Sequence, residues 1–190
     1  MTGFRAATTA VLLLSLTAAT AAGTYAARSG AADSDGDRKI AMRDDCDPKD
    51  PGWNAVGGCA KKRGNVSFAE FNGELDSPLA AAVIGHQSWR NDPSYVVITA
   101  GKTVHVRNSG GRPHTFTEVA AFGGGKVPVP PLNEGLVTAP ACPGSTDIAP
   151  GGSTLLSGLA VGNHRFMCCI HPWMRALIKV KPKGDSDNDD

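Results

Sequence analysis

Three candidate metal ligands in one short segment constrain this chain of 190 residues more than any other feature. Cys168, His171 and Met174 follow one another at C-x-x-H-x-x-M spacing, so one loop offers a thiolate, an imidazole and a thioether. A further candidate, His114, lies far upstream in the segment Arg-Pro-His-Thr-Phe. For all of these to reach one ion, the fold must bring a distant segment against the loop.

The chemistry of this ligand set selects the metal. Two imidazoles, one thiolate and a weak thioether are the ligands of a type 1 copper site. Soft sulfur favours Cu(I), whereas imidazole also accommodates Cu(II), so both oxidation states are held. Zinc gains little from a thioether and has no redox chemistry. The sequence therefore predicts an electron carrier, not an enzyme, with one copper ion bound by His114, Cys168, His171 and Met174.

The second half of the chain has the pattern of β-structure. Short segments rich in β-branched and aromatic residues are separated by Gly/Pro turns, with a long Gly/Pro-rich connection at 120–152 and no interleaved helices. The predicted strands are 95–99, 103–108, 114–119, 153–159, 164–169 and 176–181. Such a pattern is typical of an antiparallel β-sandwich.

The first residues have the pattern of a signal peptide. In residues 1–27, Arg5 is followed by an apolar stretch and then by small residues, which predicts cleavage between Ala19 and Ala27. We therefore expect an exported protein, periplasmic, cell-surface or secreted, with no membrane span after cleavage. The net charge of +1, with both signs scattered, argues against a nucleic-acid partner.

Residues 28–92 are predicted to form a linker and a helical N-terminal extension. Residues 28–45 are polar and predict a flexible linker, and 46–65 predict a loop stapled by a disulfide. A capping box at Ser67-x-x-Glu70 predicts a helix that presents Phe68, Phe71 and Leu75 on one face.

Two further segments complete the predicted organisation. Ser77-Pro78 predicts the start of a second short helix over 79–84, ended by Gly85. The last residues, 184–190, are almost all acidic or polar and predict a disordered tail. The copper-binding domain is expected over 93–183.

The five cysteines all lie in the part predicted to be exported, where paired cysteines usually form disulfides. With Cys168 on the metal, four remain and allow three pairings. Cys46 with Cys59 closes the shortest loop and is favoured, which leaves Cys142 with Cys169. Alternation along the strand turns Cys168 inward and Cys169 toward the outer surface.

Three neighbours of the ligands are expected to support the site. Asn108 is placed to bond across it and fix the ligand loops. Pro172 and Trp173 lie between two ligands, where an apolar rim would let a redox partner protein dock near His171.

The ligand loop and the segment from Asn108 to His114 resemble the cupredoxin family of type 1 blue-copper proteins, and the short loop is closest to amicyanin among the amicyanin and plastocyanin-like members. The resemblance covers roughly residues 93–182 and implies an all-β Greek-key sandwich with the four copper ligands named above. Residues 28–92 have no counterpart in small cupredoxins. The alternative function is copper delivery or storage without a role in a redox chain.

Overall fold

The computed structural model describes residues 36–76, 84–133 and 135–184. The predicted signal peptide lies outside these residues. So do the second predicted helix and the acidic tail, except for Ile84 and Gly184. None of the helices in the described residues could span a bilayer.

Eight strands of the described residues form two four-stranded sheets. The first sheet has the order β2-β1-β4-β6, with β1 Arg38–Arg43, β2 Arg90–Asp92, β4 Val104–Asn108 and β6 Ser153–Leu156. The second has the order β3-β8-β7-β5, with β3 Tyr95–Thr99, β5 Thr117–Val119, β7 Gly162–Met167 and β8 Arg175–Lys181.

Alternation along the strands builds the core between the sheets. In β4, Val104 and Val106 are buried while His105 and Arg107 are exposed. In β8 the buried positions likewise alternate, and both sheets contribute to one hydrophobic cluster. Each fully buried aliphatic side chain contributes about 1.5–3 kcal/mol relative to exposure. The predicted β-sandwich is confirmed.

The strand directions differ from the antiparallel arrangement that we predicted. β1 pairs with β4 in parallel, and β3 pairs with β8 in parallel, so both sheets are mixed. Parallel neighbours need long crossover connections, and both pairs are separated by many residues in the chain. Turn signals between adjacent strands predict only local, antiparallel pairing, which is why the sequence did not show these pairs.

The prediction of a flexible linker over 28–45 is wrong where the structure describes it. Residues 38–43 form β1, which lies inside the first sheet between β2 and β4. Its side chains alternate, with Ile40 and Met42 buried and charged neighbours outside. The charged residues gave the segment a polar composition that hid this period of two. The N-terminal extension is thus part of the sandwich.

Two features of the extension are confirmed. Helix α1, Phe68–Leu75, begins at Ser67, whose hydroxyl accepts the backbone N–H of Glu70 at 3.0 Å. The disulfide between Cys46 and Cys59 staples the preceding loop, which contains a 3₁₀ helix at Pro51–Val56. A second short helix, α2, Pro130–Asn133, lies in the long connection.

Candidate metal centre

The loop from Cys168 to Met174 begins where β7 ends and is closed by its own backbone. The N–H of Cys168 donates to the carbonyl of Met174 at 3.0 Å, and the N–H of Met174 donates to that of His171 at 2.9 Å. The side chains of all three residues are buried. A short loop closed in this way turns three candidate ligands toward the inside of the sandwich.

His114 reaches the same place from the other direction. It lies just before β5 and forms an isolated bridge with Ile148, through backbone hydrogen bonds of 3.2 and 2.6 Å. The Asn108 amide donates to the carbonyls of Arg112 and Ile148, both at 2.8 Å. Asn108 therefore ties together the two segments that hold His114.

The donor atoms converge on one point. The Sγ of Cys168 lies 3.8 Å from Nδ1 of His114 and 3.6 Å from Nδ1 of His171. All three donors lie within 4.8 Å of one another. Donors spaced like this fit one ion with metal–ligand distances of about 2.0–2.3 Å. Met174 is fully buried in the same loop, so the donor set fits a type 1 copper site.

The surroundings of Cys168 favour its thiolate. Burial by itself raises the pKa of this thiol, but hydrogen bonds with His114 and His171 lower the pKa well below its usual range. The backbone N–H of Thr115 also donates to Sγ at 3.3 Å. Because the thiolate is the form that binds metal, the protein holds Cys168 ready to act as a ligand.

Asp44 is a neighbour of the site that the sequence analysis missed. Its Oδ2 lies 2.9 Å from Nε2 of His114, and both side chains are fully buried. Burial lowers the pKa of His114, but hydrogen bonds with Asp44 and Cys168 outweigh it and raise the pKa to about 9. Asp44 lies in the segment that we took for a linker. The alternation of Ile40 and Met42 just before it was the available signal.

An aromatic cap covers His171. We define this cap as Phe71 of α1, His86 and Trp89 of the segment before β2, and Trp173. The rings of Phe71, Trp89 and Trp173 lie 6.3, 6.4 and 5.5 Å from that of His171, measured between centroids. A Cβ added to Gly85 would lie 1.9 Å from the Trp173 ring, so glycine allows the backbone to press against the indole.

The cap leaves little of the predicted docking rim exposed. His171 and Trp173 are only 6% and 9% exposed, and Pro172 is buried as well. Burial lowers the pKa of His171. The N-terminal extension supplies Phe71, His86 and Trp89 of the cap, so these residues of the extension cover the region that we expected to be exposed.

The other two cysteines of this region lie on the far side of the strand. Cys169 bonds to Cys142, as predicted, and Cys168 is a free buried thiol. Cys169 does not face an outer surface, however, because it is fully buried in a second cluster with Val119, Ala139 and Met167. The long connection between β5 and β6 covers that face of the sheet.

A second cluster, of Glu70, Glu74 and His86, lies beside the cap, and its three candidate ligand atoms lie within 4.8 Å of one another. The backbone N–H of Ser88 donates to Nδ1 of His86 at 3.2 Å. The neutral ring therefore has its proton on Nε2, which faces a carboxylate oxygen of Glu74 at 3.5 Å. This contact joins α1 to the segment before β2.

Comparisons with known proteins give weak likenesses. No protein-family model matches the chain, and no curated protein matches it. The chain is similar to a novel purple cupredoxin from Nitrosopumilus maritimus, with 13% identity and a TM-score of 0.40 over 76% of this chain and 99% of that one. It is also similar to amicyanin from Paracoccus versutus, with 20% identity and a TM-score of 0.35 over 57% and 88% of the two chains. Because these identities and TM-scores are low, the assignment of the site rests on its geometry alone.

Proposed function

We propose that this chain is an exported type 1 copper protein that carries single electrons. The observation that supports it is the position of the Cys168 sulfur, 3.8 and 3.6 Å from the Nδ1 atoms of two buried histidines. Met174 would supply the weak fourth ligand from the loop that it shares with Cys168 and His171. A copper ion in this ligand set supplies one-electron chemistry between Cu(I) and Cu(II).

The chain's own residues suit rapid electron exchange. His114 is held by a backbone bridge to Ile148 and by Asp44, while the other candidates lie in a loop closed by its own hydrogen bonds. Ligands fixed in this way keep nearly one geometry in both oxidation states, which reduces the reorganisation that accompanies each transfer. The buried donors also exclude water from the coordination sphere.

Export and a redox partner are further parts of the proposal. Two disulfides, Cys46–Cys59 and Cys142–Cys169, support an oxidising compartment. A carrier of single electrons needs a redox partner protein to give and take them. The buried ligands argue against delivery or storage, because a metal in transit needs an open site from which it can be exchanged.

The copper-loaded protein tests the proposal. We expect intense visible thiolate-to-Cu(II) absorption that disappears on reduction and returns on oxidation. Cys168→Ser should abolish this absorption, because no other free thiol exists in the described residues. The matched control is the double variant Cys142→Ser/Cys169→Ser, which removes the adjacent sulfur and its disulfide partner and should keep the colour.

Two results would contradict the proposal. Colour that depends on Cys169 rather than Cys168 would overturn the ligand assignment. A colourless protein that binds Cu(I) and releases it rapidly to a chelator would support copper delivery or storage instead.

A further inference from the structure

We propose that Asp44 is a positioning residue for copper, which fixes the proton of His114 and favours Cu(II) over Cu(I). This inference rests on the proposed function and deepens it. Asp44 touches no metal donor itself, since it contacts Nε2 of His114 while Nδ1 faces Cys168. Its effect on copper passes through the His114 ring.

The hydrogen bonds around Asp44 define its charge state. Its Oδ1 accepts the N–H of Gly111 at 2.9 Å, and its Oδ2 accepts that of Arg112 at 2.9 Å. Two backbone donors, one on each oxygen, stabilise the ionised carboxylate. An ionised carboxylate can only accept hydrogen bonds. Nε2 of His114 must therefore donate to it, so Nδ1 is the nitrogen that gives up its proton and binds the metal.

The chain is built to let this carboxylate approach. A Cβ added to Gly110 would lie 2.0 Å from Oδ2 of Asp44, and one added to Gly111 would lie 2.6 Å from Sγ of Cys46. Only glycine at these two positions lets the loop after β4 wrap around the carboxylate. The disulfide between Cys46 and Cys59 holds the chain just after Asp44. These contacts join a segment of the N-terminal extension to His114, which lies 70 residues further along the chain.

A buried negative charge beside a ligand acts more strongly on the higher oxidation state. Cu(II) carries one more positive charge than Cu(I), and because Asp44 is buried, solvent screens its charge only weakly. A carboxylate on the outer nitrogen also makes the imidazole a more basic ligand. Both effects favour Cu(II), so Asp44 lowers the reduction potential of the site.

Asp44→Asn tests the inference with little change of shape. With its oxygen on Gly111, the new amide points its NH₂ at the N–H groups of Arg112 and His114. With its oxygen on His114, the NH₂ meets the N–H of Gly111 instead. Neither orientation satisfies every donor, and the first one favours the His114 tautomer that has its proton on Nδ1.

The expected result is a loss of Cu(II) affinity of about 10–100-fold, the usual cost of removing such an outer partner. Cu(I) affinity should fall less. Each tenfold loss in the ratio of Cu(II) to Cu(I) affinity raises the reduction potential by about 59 mV. The matched control is Asp45→Asn, because Asp45 is the next residue but pairs with Lys61 near the surface at 3.1 Å. It should leave the potential unchanged.

The bond itself is tested in the metal-free wild-type protein, without any substitution. NMR should find a proton on Nε2 of His114 that is hydrogen-bonded and protected from exchange. Failure to find it would overturn the inference even if Asp44→Asn did not fold. A potential that is equal in Asp44→Asn and Asp45→Asn would also overturn it. Neither result affects the proposed function, which falls only if the wild-type protein lacks the copper absorption.

Discussion

His114 and His171 present the same ring nitrogen to Cys168, yet their surroundings are opposite. Their ring centroids lie 5.0 Å apart. His114 is held from behind by the carboxylate of Asp44, whose backbone donors fix it in turn. His171 is covered by the aromatic cap and has no such charged partner among the described residues. One ligand has a polar support and the other an apolar one.

This difference teaches that the two histidines serve the site in different ways. A carboxylate behind His114 determines which nitrogen has the proton and adds negative charge near the metal. The rings of Phe71, Trp89 and Trp173 over His171 determine how much water reaches it and carry no charge. The N-terminal extension supplies both supports, Asp44 to one histidine and Phe71 to the other.

The largest difference should appear when the two rings are titrated in the metal-free protein. Burial lowers the pKa of His171, whereas bonds with Asp44 and Cys168 raise that of His114 to about 9 despite its burial. Between pH 6.5 and about 9, His114 should therefore keep its proton while His171 is neutral. NMR signals of the two rings followed against pH measure both values.

Asp44→Asn should lower the pKa of His114, because it removes the partner that favours the protonated ring. Asp45→Asn is the control and should leave the pKa of His114 unchanged. If both rings titrated together near their ordinary value, the contrast between the two supports would be wrong.

Removal of one ring of the cap should affect stability strongly. Phe71 is buried and its ring lies 6.3 Å from that of His171. Phe71→Ala should reduce the free energy of unfolding by about 3–5 kcal/mol. It should also raise the pKa of His171 toward its ordinary value, because water then reaches the ring. Urea denaturation and ring titration measure the two effects.

Phe122→Ala is the matched control for this change. Phe122 is 36% exposed, contacts the guanidinium of Arg175 at 5.0 Å and is not part of the cap. Its loss should cost about 1 kcal/mol or less. An unchanged pKa of His171 in Phe71→Ala would show that the cap does not control the access of water to this ring.

Crowding the polar support should have a smaller effect. Gly110→Ala places a Cβ 2.0 Å from Oδ2 of Asp44, so the carboxylate must move away from His114. Overpacking of this kind costs about 1–3 kcal/mol. The reduction potential of the copper-loaded protein should rise, in the same direction as in Asp44→Asn.

Gly73→Ala is the glycine control. A Cβ at Gly73 of α1 meets nothing within 4 Å, so this change should stabilise the protein by about 0.5–1 kcal/mol. It should leave the reduction potential of the copper-loaded protein unchanged. A potential unchanged in Gly110→Ala would mean that the carboxylate does not act on the metal through His114.

The sequence predicted the ligand side of the site better than its supports. Cys168 and His171 are neighbours in the chain, and the strand pattern placed Cys168 inward, so local spacing was enough to find them. The disulfide from Cys142 to Cys169 was predicted by elimination, once Cys168 was assigned to the metal and Cys46 to Cys59. Asp44 and Phe71 reach the site only because β1 pairs in parallel with β4 and α1 folds over the loop. Such long-range contacts leave no spacing that can be recognised in one sequence.

The smallest expected effect comes from a change at the start of α1, which should reduce stability without disturbing the cap. Ser67→Ala removes the acceptor for the N–H of Glu70 and should cost about 1 kcal/mol in urea denaturation. Because Phe71 and Leu75 still hold α1 against the core, the copper spectrum and the His171 titration should not change. Ser157→Ala, at an exposed serine after β6, is the control and should stay within about 0.5 kcal/mol of wild type. A changed copper spectrum in Ser67→Ala would mean that the N-cap of α1, and not the packing of the buried rings, determines the position of the aromatic cap over His171.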